Sequence, residues 1–280
     1  MNAIEIKNLC KAYKEFEIKD FNLTLPGGYI LGLIGENGAG KSTIIKMLLD
    51  IVKKDSGSIS LLGKDSSDLR LAKEDIGVVL DEIGINDCFN AVNVGKMMKR
   101  IYKNWDMKKY YSLLKDFSVP DNKKFKDLSK GMKMKLGIAV ALSHNPKLLI
   151  LDEVTAGLDP VIRDEITDVF LEFTRDEEHS ILISSHIVSD LEKMCDYIAF
   201  IHNGRLMLFE EKDALRDDYA TMNCTESEAN NIDASAVMGR RSTPYSTQLL
   251  VKKSLIPQSF ETSPVSIEEL FVFMIRGDKR

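Results

Sequence analysis

The amino-acid sequence predicts an α/β fold, a parallel sheet covered by helices on both faces, from three observations. Residues 29–34 and 148–151 are almost wholly apolar, the pattern of strands buried on both sides. Segments of helical spacing alternate with strand-like segments, the rhythm of strand, helix and parallel strand. The stretch GLIGENGAGKSTIIKML (32–48) gathers glycines into the turn between an apolar run and a helix-like run.

In chain order, residues 4–6 and 21–25 alternate apolar with polar side chains and are punctuated by Pro26, Gly27 and Gly28, so short strands open the protein as a small β-layer. The strand at 29–34 leads through the glycine turn into a helix at 42–52, whose apolar positions are Ile44, Ile45, Leu48 and Leu49. Strands follow at 58–62 and 76–80, and then an inserted helical section from about 92 to 117, rich in Lys, Met and Tyr. A helix at 130–143 stops at His144-Asn145-Pro146, and the strand 148–151, helix 160–175, strand 180–184, helix 189–195 and strand 198–202 complete the alternation. From about 215 the rhythm is lost. Residues 220–247 are rich in Ser, Thr, Asn and Asp, and a last helix starts at Ser266 with Glu269 three residues on, a capping box. The expected division is 1–214, with the helical section at about 85–145, and a small accessory region at 215–280.

Composition narrows the function classes. At 280 residues the chain can bury one large core, and no run of about 18 uncharged apolar residues offers a membrane span. The start MNAIEIKNLC is unlike a secretory signal. Cys10, Cys88, Cys195 and Cys224 show neither zinc-ligand nor disulfide spacing, which fits a reducing cytosol. A net charge of −5 disfavours nonspecific binding to nucleic acid. Residues 96–135 nevertheless hold thirteen Lys/Arg against four Asp, an excess of nine that leaves the remainder at −14. That basic section is either a solvated face or a meeting surface for an acidic partner or anionic lipid.

Gly35, Glu36, Asn37, Gly38, Ala39, Gly40, Lys41 and Ser42 fit GxxxxGK[ST], placed after a buried strand and opening a helix. Glycines there let main-chain N–H groups converge on phosphate oxygens, and the helix N-terminus adds about half a positive charge. Lys41 would reach the outer phosphates and Ser42 could ligate Mg²⁺, so the expected ligand is a nucleoside triphosphate, with Thr43 completing the binding segment. Strand 148–151 ends in Asp152 and Glu153 at the carboxyl edge of the sheet, where such folds present ligands. Asp152 would hold Mg²⁺ through water, and Glu153 would orient and polarise the attacking water. Ser129 caps the next upstream helix, and Gly131 in its first turn suggests a second anion contact.

Read together and in this order, GENGAGKST (35–43), LSKGM (128–132), LLILDE (148–153), AGLDP (156–160) and SSHIVSDLEKMCD (184–196) resemble the nucleotide-binding subunit of an ATP-binding cassette (ABC) transporter over residues 3–212. YKNWD (102–106) and the closing SIEELFVFMIRG (266–277) resemble the bacterial ABC-2 type, often associated with export. The resemblance implies a P-loop NTPase core of ABC type that binds ATP and Mg²⁺, pairs with a like subunit as a homodimer or heterodimer, and drives a separate ABC-2 type membrane permease. It implies a cytoplasmic subunit peripheral to the inner face of the cell membrane, with membrane contact only through the permease.

The resemblance also implies residue roles. Tyr13 falls where the family stacks an aromatic ring on adenine, although a strand-end tyrosine packing on its neighbours is the alternative. Ser129 and Gly131 match the signature that faces the other subunit's phosphate loop, and Asp159 matches the loop between the two sites. His186 matches a γ-phosphate contact, the alternative being a histidine satisfied locally. Asp81 stands where the family usually has a glutamine that touches Mg²⁺ and the membrane subunit, and its carboxylate can still ligate the metal. Lys130, Met132 and Val154 depart from the family's common residues without touching a catalytic assignment. The rival function, a soluble ABC ATPase acting on ribosomes or nucleic acid, would usually bring a second cassette or a long coiled coil, and neither is visible.

Overall fold

The computed structural model of the chain describes residues 1–65, 73–242, 246–257 and 260–276. Its elements, in chain order, are β1 (Asn2–Ala12), β2 (Glu17–Pro26), β3 (Ile30–Gly35), α1 (Lys41–Leu48), β4 (Ser56–Leu61), β5 (Lys64–Asp65), β6 (Ile76–Val79), α2 (Ala91–Ile101), α3 (Met107–Asp116), α4 (Lys130–Leu142), β7 (Leu148–Asp152), α5 (Pro160–Phe173), β8 (Ser180–Ser185), α6 (Val188–Met194), β9 (Tyr197–His202) and β10 (Arg205–Glu211). There follow α7 (Lys212–Asp218), β11 (Tyr219–Cys224), α8 (Glu226–Asn231), β12 (Val237–Ser242), β13 (Thr247–Lys252), β14 (Ser263–Pro264) and α9 (Ile267–Arg276).

The central sheet has the order β10-β9-β3-β8-β7-β6, parallel except for β10, which folds back on β9. Its strands are apolar throughout because both faces are covered. Leu148 and Ile150 of β7 join Leu31, Leu33 and Leu182 under α1 and the antiparallel layer β2-β1-β4-β5. Leu149 and Leu151, one residue out of phase, join Ile34, Ile181 and Ile183 in the larger core beneath the remaining helices. Period-two strands sandwiched this way make register costly to change, since a one-residue slip exchanges the two cores. The order also puts the carboxyl ends of β3, β8, β7 and β6 side by side on one edge.

Local chemistry sets the helix boundaries there. Asn90 and Asn93 form a reciprocal capping box at α2, Asp106 accepts from the Lys108 and Lys109 N–H groups at α3, and Asp159 caps α5 with Pro160 in its first turn. The helical section is therefore two short helices, α2 and α3, packed on α4.

The accessory region is more ordered than its sequence predicts. Its strands form a four-stranded antiparallel sheet, β12-β13-β11-β14. The apolar residues are sparse, but they sit where a two-sided sheet needs them. Leu250 faces α9 with Phe273 and joins the main core, while Met222, Leu249 and Val251 bury a separate cluster with Ala229 of α8. The capping box at α9 forms as expected, with Glu269 accepting from the Ser266 N–H at 3.1 Å. Residues 243–245, 258–259 and 277–280 of this region lie outside the described residues.

His144 fastens α4 to the start of β6. Its ring is fully buried, stacks on Tyr102 at 4.0 Å between centroids, and places Nδ1 3.0 Å from the Glu74 carbonyl oxygen. A carbonyl can only accept, so the neutral ring carries its proton on Nδ1. Burial depresses the pKa of this imidazole. The folded state thus resists a proton that the unfolded chain accepts near pH 6.5, and stability contributed by the neutral ring is complete above that pH and lost as pH falls below it. Denaturant titrations from pH 7.5 to 5 are expected to show this loss in the wild type and a shallower one in His144→Phe, which keeps the stack.

Candidate functional site

The site begins with the turn after β3. Gly40, at φ +111, is the N-cap of α1 and has no side chain to cap it, so the first N–H groups of the helix are left for a ligand. The turn is braced from β9 and β10, because the Gly204 N–H donates to the Ala39 carbonyl at 3.0 Å. A cleft of about 270 Å³ lies over it, lined by Glu36, Asn37, Gly38, Ala39, Gly40, Lys41, Ser42 and Thr43 together with Asp81, Glu153 and Phe16. A Cβ added at Gly40 would stand 2.8 Å from Phe16 Cζ in a backbone conformation that disfavours side chains. Gly40→Ala is therefore expected to weaken ATP binding about tenfold or more, measured by isothermal titration calorimetry.

Lys41 is only 5 % exposed, and its ammonium is held by the Gly35 carbonyl at 2.7 Å and by Glu153 Oε1 at 3.1 Å. Glu153 Oε2 lies 2.7 Å from His186 Nδ1, which donates because a carboxylate can only accept. The carboxylate is thus positioned from both sides. Its backbone has φ +53, an uncommon conformation for a residue with a side chain, and its N–H is received by both the carbonyl (3.1 Å) and the hydroxyl (3.2 Å) of Ser184. The same Ser184 hydroxyl donates to Asp152 Oδ1 at 2.5 Å, and Asp152 is 3 % exposed. Ser184 is across the β7–β8 ladder from Asp152, so the parallel register itself ties the two acids together.

Of the expected site residues, the fold brings 35–43, Asp81, Asp152, Glu153 and His186 to one edge. Ser129, Gly131 and Asp159 do not line that cleft. Ser129 caps α4, accepting from the Met132 N–H at 3.3 Å, and Asp159 accepts from the Ile162 N–H at 3.1 Å. Ile162 also explains Gly131, because a Cβ there would stand 2.6 Å from Ile162 Cδ1. The glycine thus lets the tip of Ile162 on α5 lie against α4, whatever it does toward an anion. Tyr13 lies outside the cleft as well, 48 % exposed, with the Lys11 ammonium 5.6 Å from its ring centroid. Sequence reasoning missed Ser184 and Phe16. A serine before His186 was a usable signal once β7 and β8 were adjacent; nothing local marked Phe16.

Hard oxygen donors suit Mg²⁺: the Ser42 hydroxyl and the Asp81 and Asp152 carboxylates. Among the described residues no group of three or more His, Cys, Asp or Glu could hold a metal ion alone. Phosphate oxygens and water would have to complete the shell, which is how Mg²⁺ commonly binds.

The ABC transporter family model matches residues 18–156. The lantibiotic transport ATP-binding protein SrtF of Streptococcus pyogenes is 38 % identical over 75 % of this chain and 91 % of its own length. The chain belongs to the ABC transporter ATP-binding family. The ABC transporter ATP-binding protein YtrB of Bacillus subtilis, 28 % identical, aligns over 99 % of both chains, so the likeness extends into the accessory region. A solved ATP-binding subunit of an ABC transporter superposes with a TM-score of 0.70 at 26 % identity, covering 77 % of this chain and 92 % of the other. A dimeric ATP-binding cassette in a post-hydrolysis state, bound to ADP and Pi, shares the fold with a TM-score of 0.67 at 23 % identity, covering 74 % and 98 %. This cassette is accordingly the ATP-binding and ATP-hydrolysing subunit of a transporter, and the ribosomal alternative falls away. No described helix of the cassette is long and apolar enough to cross a membrane.

Proposed function

We propose that ATP binds with its triphosphate in the 35–43 turn, its γ-phosphate toward Glu153, and that Glu153 polarises the attacking water. The observation that carries this reading is the chain Lys41, Glu153, His186, linked at 3.1 and 2.7 Å over the glycine turn. Main-chain amides and Lys41 would orient the phosphates, and His186, which holds the Glu153 carboxylate, would meet the γ-phosphate. Mg²⁺ would be held by Ser42, by Asp81 and through water by Asp152, where it would neutralise charge developing on the phosphates. Asp81 in place of the usual glutamine adds negative charge at that point, which favours a metal-bound over a metal-free nucleotide.

Ser129, Gly131 and Asp159, which do not line their own chain's cleft, support pairing of two cassettes, identical or not, with each signature closing the other's site. Closure on ATP and reopening after hydrolysis would drive an ABC-2 type permease, with the cassette cytoplasmic and peripheral to the inner face of the membrane. The relatives named for lantibiotic and bacitracin transport support an exporter of comparable cargo. Phosphate release from ATP and Mg²⁺ by the purified cassette tests the chemistry, and no release above a Glu153→Gln control would overturn it. Co-purification of an untagged permease from membranes tests the partner.

A further inference from the structure

We infer that Arg163 is a positioning residue for hydrolysis, fastening the connection that carries Glu153 to the one that carries His186. The inference rests on the roles proposed above for those two residues. Glu153 opens the segment 153–159 between β7 and α5, and His186 opens the turn between β8 and α6. At the sheet edge the two connections meet through Glu153 Oε2 and His186 Nδ1, 2.7 Å apart. Arg163 joins them a second time, where α5 and α6 begin. Its Nε and Nη2 both donate to the Leu158 carbonyl at 3.1 Å, and its Nη1 stands 3.7 Å from Oδ1 of Asp190, in the first turn of α6. Leu158 immediately precedes Asp159, so the same guanidinium holds the end of the 153–159 segment. Arg163 does not line the cleft and can act there only through these partners.

Two features set this contact apart from an ordinary ion pair. Asp190 is only 8 % exposed and its Oδ2 is buried without a hydrogen-bond partner. Packing alone would favour an apolar side chain there, because an unsatisfied buried oxygen is costly. The second feature is the fork itself: a planar guanidinium serves a carbonyl and a carboxylate at once, which a lysine's point charge does not. A neighbouring pair, Lys193 with Asp164 at 3.4 Å, also spans α6 and α5, but both side chains are largely exposed and such pairs contribute little. Without Arg163 the two connections would lose a support outside the cleft, and the Glu153–His186 contact would be freer to shift. Misplacement by about 1 Å in a reacting geometry can cost ~10²-fold in rate.

The test follows single-turnover phosphate release, ATP affinity by calorimetry and the thermal midpoint, on the full chain with Mg²⁺. Arg163→Ala is expected to lower turnover about tenfold or more and to leave ATP affinity within about twofold. It should also lower the midpoint by several degrees, because it strands Asp190. Arg163→Met combined with Asp190→Leu, which replaces the pair by apolar groups, is expected to regain the midpoint and not the rate. Lys193→Ala should change neither. Turnover that returns together with the midpoint in the double variant would make Arg163 a structural residue only and overturn the inference. So would turnover within about twofold of wild type in Arg163→Ala, or a fall in ATP affinity that accounts for the whole loss of rate. A wild type that releases no phosphate would instead bring down the Glu153 reading itself, a result distinct from these.

Discussion

Glu153→Gln is expected to lower ATP turnover by at least ~10²-fold while ATP still binds and the nucleotide-bound pair of cassettes persists longer. Glutamine keeps the size of the side chain, its carbonyl can still accept from Lys41, and its amide can donate to His186 Nδ1 once that ring carries its proton on Nε2, so the packing around the turn should survive. What disappears is the negative charge that polarises water. The alternative cause of a rate loss is structural, since Glu153 sits at φ +53 and is held from two sides. The two are separable: a structural defect would lower ATP affinity and the thermal midpoint together, whereas loss of the base leaves both near wild type. Single-turnover phosphate release alongside calorimetry makes that distinction, and wild-type hydrolysis in the variant would remove Glu153 from its role. His186→Ala should fall between, because it frees one side of the carboxylate without discharging it.

Lys41→Ala is expected to act a step earlier, on binding. A hydrogen bond to a charged group contributes about 1.5–3 kcal/mol, so removing the ammonium should weaken ATP by roughly 10- to 100-fold. The substitution has a second cost, for Lys41 is buried and also serves the Gly35 carbonyl and Glu153. Both would lose a partner in the free protein, which is expected to lower the thermal midpoint by a few degrees before any nucleotide is added. Wild-type ATP affinity with only the stability loss would show that Lys41 braces the turn and does not contact phosphate.

The comparison of Glu153 and Tyr13 shows how far the sequence could be read. Glu153 was legible because an acid ending an all-apolar strand, in the same chain as a glycine-rich phosphate turn, has few other uses, and the strand pattern already placed both on one sheet edge. Tyr13 was named by resemblance, and its surroundings depend on how Asp55, forty-three residues beyond Ala12, braces the turn at 13–16. The strands of the accessory region were hidden for a related reason. Tyr219, Ala220, Thr221 and Met222 are consecutive buried residues of mixed polarity, so neither alternation nor an apolar run announced β11 until α9 covered one face.

The sequence by itself determined the α/β alternation, the phosphate turn, the two acids at the carboxyl end of β7 and the family. These rest on local periodicity and on motifs whose spacing is chemical, so neighbours along the chain suffice to specify them. Only the tertiary structure decided that Ser184 binds Asp152 and receives the Glu153 N–H, that Gly131 makes room for Ile162, and that Phe16 shares the cleft with Lys41 while Tyr13 does not. Each of those contacts joins segments distant in sequence, and which of them meet is set by strand order and register, quantities fixed by burying two sheet faces at once.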